Sequence, residues 1–478
     1  MRDLLSALMD SAALHADYAD ARHVHSLAES VSTRNGELDD VERTDEEGIG
    51  VRVRMGGAWG FAATSETTSK GAEEALRRAL DVARAQPTAP AGELAPVEPA
   101  RGSWRSTAEL DPFEVPVEDK ASVLLAADAA MRGHTRVAVT RAHFAGLREE
   151  RTFASTEGAL SHQVVTECGG GIAATAVSGE EAQVRSYPAS FRGDVRQAGY
   201  EYFTGLDLER HAGRVAEEAV ALLSATPCPA GRQTVVLDGQ QLALQVHESV
   251  GHAVELDRVL GMEASYAGTS FVSVEDLGTL EYGSELMNVS ADATAAGGLG
   301  SFGWDDEGVA ARSTPIVERG VLRGLLTSRE TAPRAGLDSS GGCMRAQGFA
   351  RQPIVRMTNV NLAPGHAGSL EDLIASTDRG IYMETNRSWS IDQRRLHFQF
   401  GTEIAWEIVD GHLGRMLRNP SYAGVTPRFW AGLDAVCSPS EWRLWGVLNC
   451  GKGEPGQAMH VSHGTAPARF RGVQVGVA

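Results

Sequence analysis

The strongest constraint on the fold is a segment that is patterned as a helix but carries two histidines at an unusual spacing. Apolar residues recur every four positions from Leu242 to Val254, which predicts an amphipathic helix with one buried side. His247 and His252 are five residues apart. On a regular helix such residues lie ~140° apart around the axis, too far round to share one ion comfortably. The segment is therefore either an ordinary helix or a locally distorted one.

Two interpretations of this segment remain open. In the first, the helix is regular and the histidines are ordinary residues of its polar face. In the second, a single wide turn at residues 249–251 absorbs the extra residue and brings the imidazoles together. Such π turns are enriched at functional sites, and Gly251 lowers the cost of leaving α geometry. Imidazoles that bind zinc, beside a Glu248 that takes a proton from water, would form a hydrolytic site.

The start of this helix also has a recognisable signal. Asp238 directly follows a short apolar strand and is placed to cap the helix. Gln241, three residues later, completes the pattern of a capping box.

A cysteine far along the chain is a candidate third metal ligand. Cys450 follows an apolar run and lies in a glycine-rich turn. Lys452 and exposed backbone amides there could lower the thiol pKa towards the thiolate that binds metal. A lone cysteine in a turn is more commonly buried or idle, so both interpretations are kept.

The chain has 478 residues, enough for two or three domains. The fold class we expect is α+β, with mixed N-terminal domains followed by a β-rich C-terminal domain that carries one zinc-binding helix. The expected divisions are an N-terminal α+β domain, a proline-rich linker or strap, a central α+β domain and the C-terminal catalytic domain: 1–86, 87–116, 117–226 and 227–478.

The first residues, 1–26, are expected to form an amphipathic helix. Asp3 and Asp10 interrupt what superficially resembles a signal peptide. The five cysteines are few and odd in number, which favours reduced thiols over a disulfide framework. No apolar run approaches the ~20 residues that span a bilayer. We therefore expect a cytoplasmic protein with no membrane partner.

The charge balance excludes one class of partner. The net charge of −19 argues against nucleic-acid binding, which needs a cationic face. The run 305–307 (Asp-Asp-Glu) is interpreted as a turn with solvated carboxylates rather than a calcium site. The polar segment 386–390 (Asn-Arg-Ser-Trp-Ser) is interpreted as a loop that could face substrate.

Several separated blocks occur in one order along the chain: His247–His252, Gly268–Ser270, Asp305–Gly308, Met357–Val360 and Cys450–Gln457. In this the sequence resembles the TldD/PmbA family, and specifically its TldD-type, zinc-bearing members. The resemblance covers most of the chain and is densest from residue 232 onward. It implies a zinc-dependent peptidase with one zinc per chain. His247, His252 and Cys450 match the family's ligands, and Glu248 matches its general base.

The resemblance also implies partners and substrates. It implies a cytoplasmic heterodimer with a related PmbA/TldE-type subunit that lacks the zinc motif, although a homodimer is possible. Substrates would be unfolded peptides or leader segments threaded into an enclosed chamber and read through their backbone. The alternative is a peptide-binding or assembly subunit whose zinc is structural or absent, since the family contains such subunits.

Three further residues are candidates for supporting roles. Glu255 could orient His252, or it could be a surface carboxylate of the helix. His460 and His463 stand where other residues are expected from the family pattern. Either could donate to the developing oxyanion, or both could be solvated loop histidines.

Overall fold

The computed structural model describes residues 1–86, 92–190, 192–453 and 455–476. A first sheet occupies the N-terminal half. Its strands are β1 (Tyr18–Arg34), β2 (Glu37–Met55), β3 (Ala58–Thr64), β4 (Arg101–Arg105), β5 (Val137–Ser155), β6 (Leu160–Ser178), β7 (Glu181–Tyr187) and β8 (Asp194–Arg196). Their order is β3-β2-β1-β5-β6-β4, with β7 and β8 also paired to β6.

Helices cover one face of the first sheet. They are α1 (Arg2–Ala12), α2 (Ser69–Ala85), α3 (Val117–Met131), α4 (Tyr200–Gly205) and α5 (Leu208–Leu222). Along β1, Ala19, Ala21 and Val31 face these helices and belong to their apolar clusters. The side chains between them, such as Asp20 and Arg22, point to the opposite face because strand residues alternate. That opposite face meets the C-terminal half of the chain.

The strands of segments 1–86 and 117–226 are not in separate sheets. β1 pairs antiparallel with β5 from Asp20 to Arg34, which joins the two segments side by side. Two apolar clusters nevertheless lie along this sheet, one under α1 and α2 and one under α3 and α5. The division into two domains therefore stays a prediction.

A second, larger core lies in the C-terminal half. Its sheet has the order β17-β10-β24-β20-β18-β19-β9, with β21 also paired to β24. The strands are β9 (Thr226–Pro227), β10 (Gly231–Leu237), β17 (Arg379–Ile391), β18 (His397–Val409), β19 (His412–Arg418), β20 (Ser421–Val425), β21 (Leu433–Val436) and β24 (Ala468–Val475).

Smaller sheets complete this half. They are formed by β11 (Val289–Asp292), β12 (Ser313–Glu318), β13 (Val321–Leu322) and β16 (Val360–Leu362); by β14 (Met344–Arg345) and β15 (Ile354–Val355); and by β22 (Arg443–Lys452) and β23 (Gln457–Thr465). The helices here are short: α6 (Gly239–Val246), α7 (Leu256–Val259), α8 (Leu370–Ala375) and α9 (Thr426–Ala431). The expected fold class, mixed domains followed by a β-rich C-terminal region, is confirmed.

The predicted opening helix over 1–26 is wrong beyond its first half. Helix α1 ends at Ala12, and Tyr18 begins strand β1. This strand is central, hydrogen-bonded to β2 on one side and β5 on the other. Pairing on both edges outweighs the local helical spacing, which is only a weak preference.

The proline-rich segment 87–116 includes structure that the sequence did not predict. Strand β4 lies within it and pairs in parallel with β6. The backbone amide of Ala95 donates to the carbonyl of Arg329 at 2.8 Å, so this part lies against the C-terminal half. Residues 87–91 fall outside the described residues. Among the described residues, no helix is long and apolar enough to cross a bilayer.

Residues 306 and 307 do form a turn, but the prediction that the carboxylates of 305–307 are solvated is wrong. Asp305, Asp306 and Glu307 are all buried. Asp306 pairs with Arg22 and Arg151, which lie on the face of the first sheet that carries no helices. Glu307 pairs with Arg52 of the same sheet. Asp305 accepts backbone hydrogen bonds from three residues instead: Glu307, Val309 and Met344. The carboxylates of Asp306 and Glu307 therefore join the two halves of the molecule, and none of the three faces water.

Candidate metal centre

Helix α6 leads directly into the site. Asp238 caps it as predicted, accepting from the Gln241 amide at 2.8 Å. The predicted capping box is wrong, because the Gln241 side chain donates to Tyr422 Oη instead of returning to the cap. Leu242 and Val246 are fully buried, which fixes the side of the helix that faces the core.

A π turn follows the helix at His247–Gly251. Of the two interpretations left open by the sequence, the wide turn is therefore the correct one, and it places the rings of His247 and His252 with centroids 4.8 Å apart. Gly251 also answers a packing need, since a Cβ on it would lie 2.1 Å from Met357 Sδ. The extra residue of the spacing is absorbed in one turn, and the two imidazoles lie edge to face beside each other.

Strand β22 brings Cys450 to the same place. The candidate ligand atoms of His247, His252 and Cys450 all lie within 4.8 Å of one another, and all three residues are buried. Cys450 Sγ is 3.7 Å from His252 Nε2. Zinc bonds of ~2.0–2.1 Å to nitrogen and ~2.3 Å to sulfur at a tetrahedral angle give an N···S separation of ~3.6 Å. The donor set and its spacing therefore fit zinc.

Hydrogen bonds fix which nitrogen His247 offers. His463 Nδ1 lies 2.8 Å from the carbonyl oxygen of Val360, which can only accept. His463 Nδ1 therefore carries the proton, and its Nε2 accepts from His247 Nδ1 at 2.7 Å. Burial lowers the pKa of His247 to about 4 and holds that of His463 well below its usual value. His247 is thus neutral with a lone pair on Nε2, the form that binds metal.

The second histidine is fixed by a carboxylate. His252 Nδ1 donates to Glu255 Oε2 at 3.0 Å. Glu255 is fully buried rather than on the surface. Burial alone would raise its pKa, but the charge of Lys452 and the hydrogen bond from His252 hold the pKa well below its usual range. Glu255 is therefore a carboxylate that leaves Nε2 of His252 directed towards Cys450.

The thiol of Cys450 is also tuned by its surroundings. Burial would raise its pKa, but His252 and Arg356 outweigh burial and lower the pKa. Arg356 also donates to the carbonyl oxygen of Cys450. Lys452, which the sequence suggested for this effect, is held by Asp257 at 2.7 Å and by Glu255 at 3.4 Å.

Glu248 lies in the π turn between the two histidines. Its Oε2 accepts a hydrogen bond from Arg395 Nη1, and its side chain is 8 % exposed. Sequence reasoning missed Arg395, because nothing in the local pattern of the β17–β18 turn distinguishes it from its neighbour Arg394.

The two C-terminal histidines have different surroundings. His463 is fully buried, so the solvated-loop interpretation is wrong for it. His460 pairs with Glu167 of the first sheet at 2.6 Å. Burial would lower the pKa of His460, but the Glu167 carboxylate outweighs burial and raises it.

A cavity of about 1480 Å³ opens at the cluster. One wall is the face of the first sheet that carries no helices, with small side chains of β1 such as Ala28 and Ser30. The other wall contains His247, Glu248 and Cys450. The segment 386–390, expected to be a loop, belongs to strand β17 but does line this cavity, except for residue 388.

Comparison with known proteins identifies the family. A family model described as the PmbA/TldA metallopeptidase C-terminal domain matches residues 230–477. Companion models for domain 1 and the central domain match residues 19–85 and 110–223. The chain belongs to the TldD/PmbA family. The resemblance seen in the sequence is thereby confirmed.

Relatives within the TldD/PmbA family are named metalloproteases. A metalloprotease from Methanothermobacter thermautotrophicus is 31 % identical over 474 residues, which cover 99 % of this chain and 98 % of that protein. A metalloprotease TldD homolog from Haemophilus influenzae is 25 % identical, covering 96 % of this chain and 93 % of that protein. These names indicate a metalloprotease in general terms.

A solved structure shares the whole fold. TldE from Thermococcus kodakarensis superposes with a TM-score of 0.75 at 16 % identity, and the match covers 99 % of this chain and 100 % of that chain. At this identity the likeness concerns the TldD/PmbA fold alone.

Proposed function

We propose that the protein is a zinc-dependent peptidase with one zinc ion per chain. The observation that carries the proposal is the π turn at His247–Gly251. It brings the two histidines within ligand distance of Cys450 and places Glu248 beside them in a cavity.

His247 Nε2, His252 Nε2 and Cys450 Sγ would hold the zinc. When bound, zinc would supply a Lewis acid that makes water easier to deprotonate near neutral pH. The hydrogen bonds on the far nitrogens of both histidines preset the neutral tautomers that binding requires. His463 and Glu255 are thus positioning residues in this proposal.

Glu248 is the proposed general base. Its Oε2 is engaged by Arg395, which leaves Oε1 to take a proton from the attacking water. The same oxygen returns that proton to the nitrogen of the leaving amine. His460, paired with Glu167 in the cavity wall, is proposed to contact substrate rather than metal.

The proposed substrates are unfolded or leader peptides in extended form. Within the described residues, β22 pairs only with β23, and its segment Val447–Gly451 lines the cavity beside Cys450. An extended peptide could pair with this free edge through main-chain hydrogen bonds. Recognition through the backbone would give low sequence preference.

The proposed partner is a TldE-type subunit in a heterodimer, with a homodimer as the alternative. Family membership and the shared fold of a TldE structure support this pairing. The competing function, a peptide-binding subunit with a structural zinc, would be expected to close the fourth metal position with protein. Three protein ligands beside Glu248 favour the catalytic site.

Metal analysis and peptide cleavage test the proposal together. Zinc is measured in the wild type and in His252→Ala, Cys450→Ala and Glu248→Gln, with Cys437→Ala as a matched buried-cysteine control. Cleavage of an unstructured peptide is followed with and without a TldE-type subunit. We expect His252→Ala and Cys450→Ala to lose zinc, and Glu248→Gln to keep zinc but lose cleavage.

Two results would contradict the proposal. Full zinc occupancy in Cys450→Ala removes the thiolate from the ligand set. Full cleavage by zinc-loaded Glu248→Gln removes Glu248 as the base.

A further inference from the structure

Arg395 places unused hydrogen-bond donors in the metal centre. Its side chain is 16 % exposed and lines the cavity. Nη1 donates to Glu248 Oε2. A guanidinium has five N–H donors, and among the described residues the buried Nε has no hydrogen-bond partner. This is a cation whose donor capacity exceeds what the protein itself uses.

The turn that carries Arg395 is held from two sides. Thr426 Oγ1 donates to the carbonyl oxygen of Arg395 at 2.8 Å. Leu396 N donates to Asp392 Oδ1 at 2.9 Å. Arg395 itself has a φ of 63°, a left-handed conformation that is costly for a non-glycine residue unless its surroundings impose it.

The Gly268–Ser270 block, singled out in the sequence, packs on this same turn. A Cβ on Gly268 would lie 2.7 Å from the carbonyl oxygen of Gln393. Immediately after the block, the Phe271 amide donates to the carbonyl of Arg394 at 2.9 Å. Ser270 Oγ donates to the carbonyl of Ala253 at 2.7 Å. The block therefore ties the Arg395 turn to the segment that carries the metal ligands.

Arg395 also places a positive charge next to the candidate metal centre. Its guanidinium bonds Glu248, the residue that follows His247, and it lines the same cavity as His247, His252 and Cys450. An arginine stays protonated in proteins. Arg395 is thus a fixed positive charge beside the candidate ligands, on the same side as the proposed base.

We propose that Arg395 is a catalytic residue that donates a hydrogen bond to the scissile carbonyl oxygen as it becomes an oxyanion. The inference rests on the proposed peptidase function and assigns the group that stabilises its transition state. A preorganised donor of this kind is worth ~10²–10³ in kcat. The left-handed turn and its Gly268 support supply the preorganisation.

The step balances without any further reagent. The water oxygen forms a bond to the carbonyl carbon while Glu248 takes one water proton. The carbonyl π pair moves onto its oxygen, where Arg395 donates. That pair then returns as the C–N bond breaks, and the proton passes from Glu248 to the leaving nitrogen. No oxidation or reduction occurs.

Steady-state kinetics give the first test. Zinc-loaded wild type, Arg395→Ala, Arg395→Lys and the neighbouring Arg394→Ala are compared on an unstructured peptide with an amidated C-terminus. We expect kcat to fall ~10²–10³ in Arg395→Ala, with KM and zinc content little changed. Arg394 is exposed, so Arg394→Ala should match the wild type. Free guanidinium should restore part of the lost rate.

A binding measurement separates direct contact from an effect through Glu248. In a Glu248→Gln background, calorimetry compares the affinity for a phosphinic peptide, which mimics the tetrahedral oxyanion, with and without Arg395→Ala. A direct donor predicts weaker binding in the double variant. Unchanged affinity would show that Arg395 acts only by positioning Glu248, which overturns the inference.

Other outcomes are equally decisive. An active wild type with an unchanged kcat in both Arg395 variants rejects the inference and leaves the peptidase function standing. A rise in KM confined to peptides with a free C-terminus would make Arg395 a carboxylate anchor, which also rejects it. A wild type that binds zinc but cleaves nothing, with or without a TldE-type subunit, rejects the proposed function itself.

Discussion

A single carbonyl oxygen sets the protonation pattern of the histidines. Val360 O can only accept, so the proton on His463 Nδ1 is fixed, and His247 must in turn donate through Nδ1. The Glu255 carboxylate likewise fixes the proton of His252 on Nδ1, because it can only accept. On the proposed ligand set, these hydrogen bonds leave Nε2 of both histidines available before the metal binds, which reduces the cost of assembling the site.

Replacing His463 should weaken metal binding without touching a ligand. His463→Leu keeps a similar apolar volume but removes the acceptor for His247 Nδ1. We expect zinc affinity to fall by ~10–100-fold, measured by competition with a chromogenic chelator. His460→Leu serves as the control, because His460 pairs with Glu167 away from the ligands. Equal zinc affinity in both variants would contradict the positioning role.

The π turn lets one helix segment both pack in the core and form part of the candidate metal centre. Val250 is buried within the turn, and the flanking His247 and His252 rings lie edge to face beside each other. A regular helix would keep one of these arrangements and lose the other. Gly251 permits the turn to pack directly against Met357.

Two explanations of Gly251 predict opposite effects of Gly251→Ala on the free energy of unfolding. If only helix propensity mattered, alanine would stabilise the protein by about 1 kcal/mol. Because its Cβ would overlap Met357 Sδ, we expect a loss of ~1–3 kcal/mol, measured by urea unfolding. The loss should be smaller in a Met357→Ala background. An unchanged loss there would place the cost in the backbone instead of this contact.

Local features were predictable from the sequence, and long-range ones were not. The wide turn followed from a spacing that a straight helix cannot satisfy and from Gly251. The local pattern places Tyr18 in a helix, since its strand depends on neighbours from two distant segments. The local pattern also leaves Asp306 in solvent, because its arginine partners come from another sheet. Arg395 gains meaning only when its turn meets Glu248.

At the scale of the molecule, the site depends on contact between its two halves. The face of the first sheet that carries no helices forms one wall of the cavity and also packs against the C-terminal half. Buried pairs from Asp306 to Arg22 and Arg151 join the halves. Such pairs add little net stability when complete, but removing one partner leaves uncompensated buried charge.

Asp306→Ala should therefore be far more damaging than loss of a surface ion pair. We expect it to cost ~3–5 kcal/mol, because the buried Arg22 loses its carboxylate partner and Arg151 keeps only Glu149. Asp434→Ala, which breaks pairs near the surface with Arg469 and Arg471, should cost no more than ~1 kcal/mol. Chemical denaturation of both variants measures the difference. Comparable losses would show that the interface does not depend on this carboxylate.

The late position of Cys450 has a consequence for biosynthesis. Cys450 follows His252 by 198 residues, and β24, which pairs with the strand that leads into helix α6, is synthesised later still. On the proposed ligand set, a growing chain on the ribosome already displays both histidines but lacks the thiolate. The proposed hydrolytic centre is therefore completed only after Cys450 has been synthesised and has reached the two histidines.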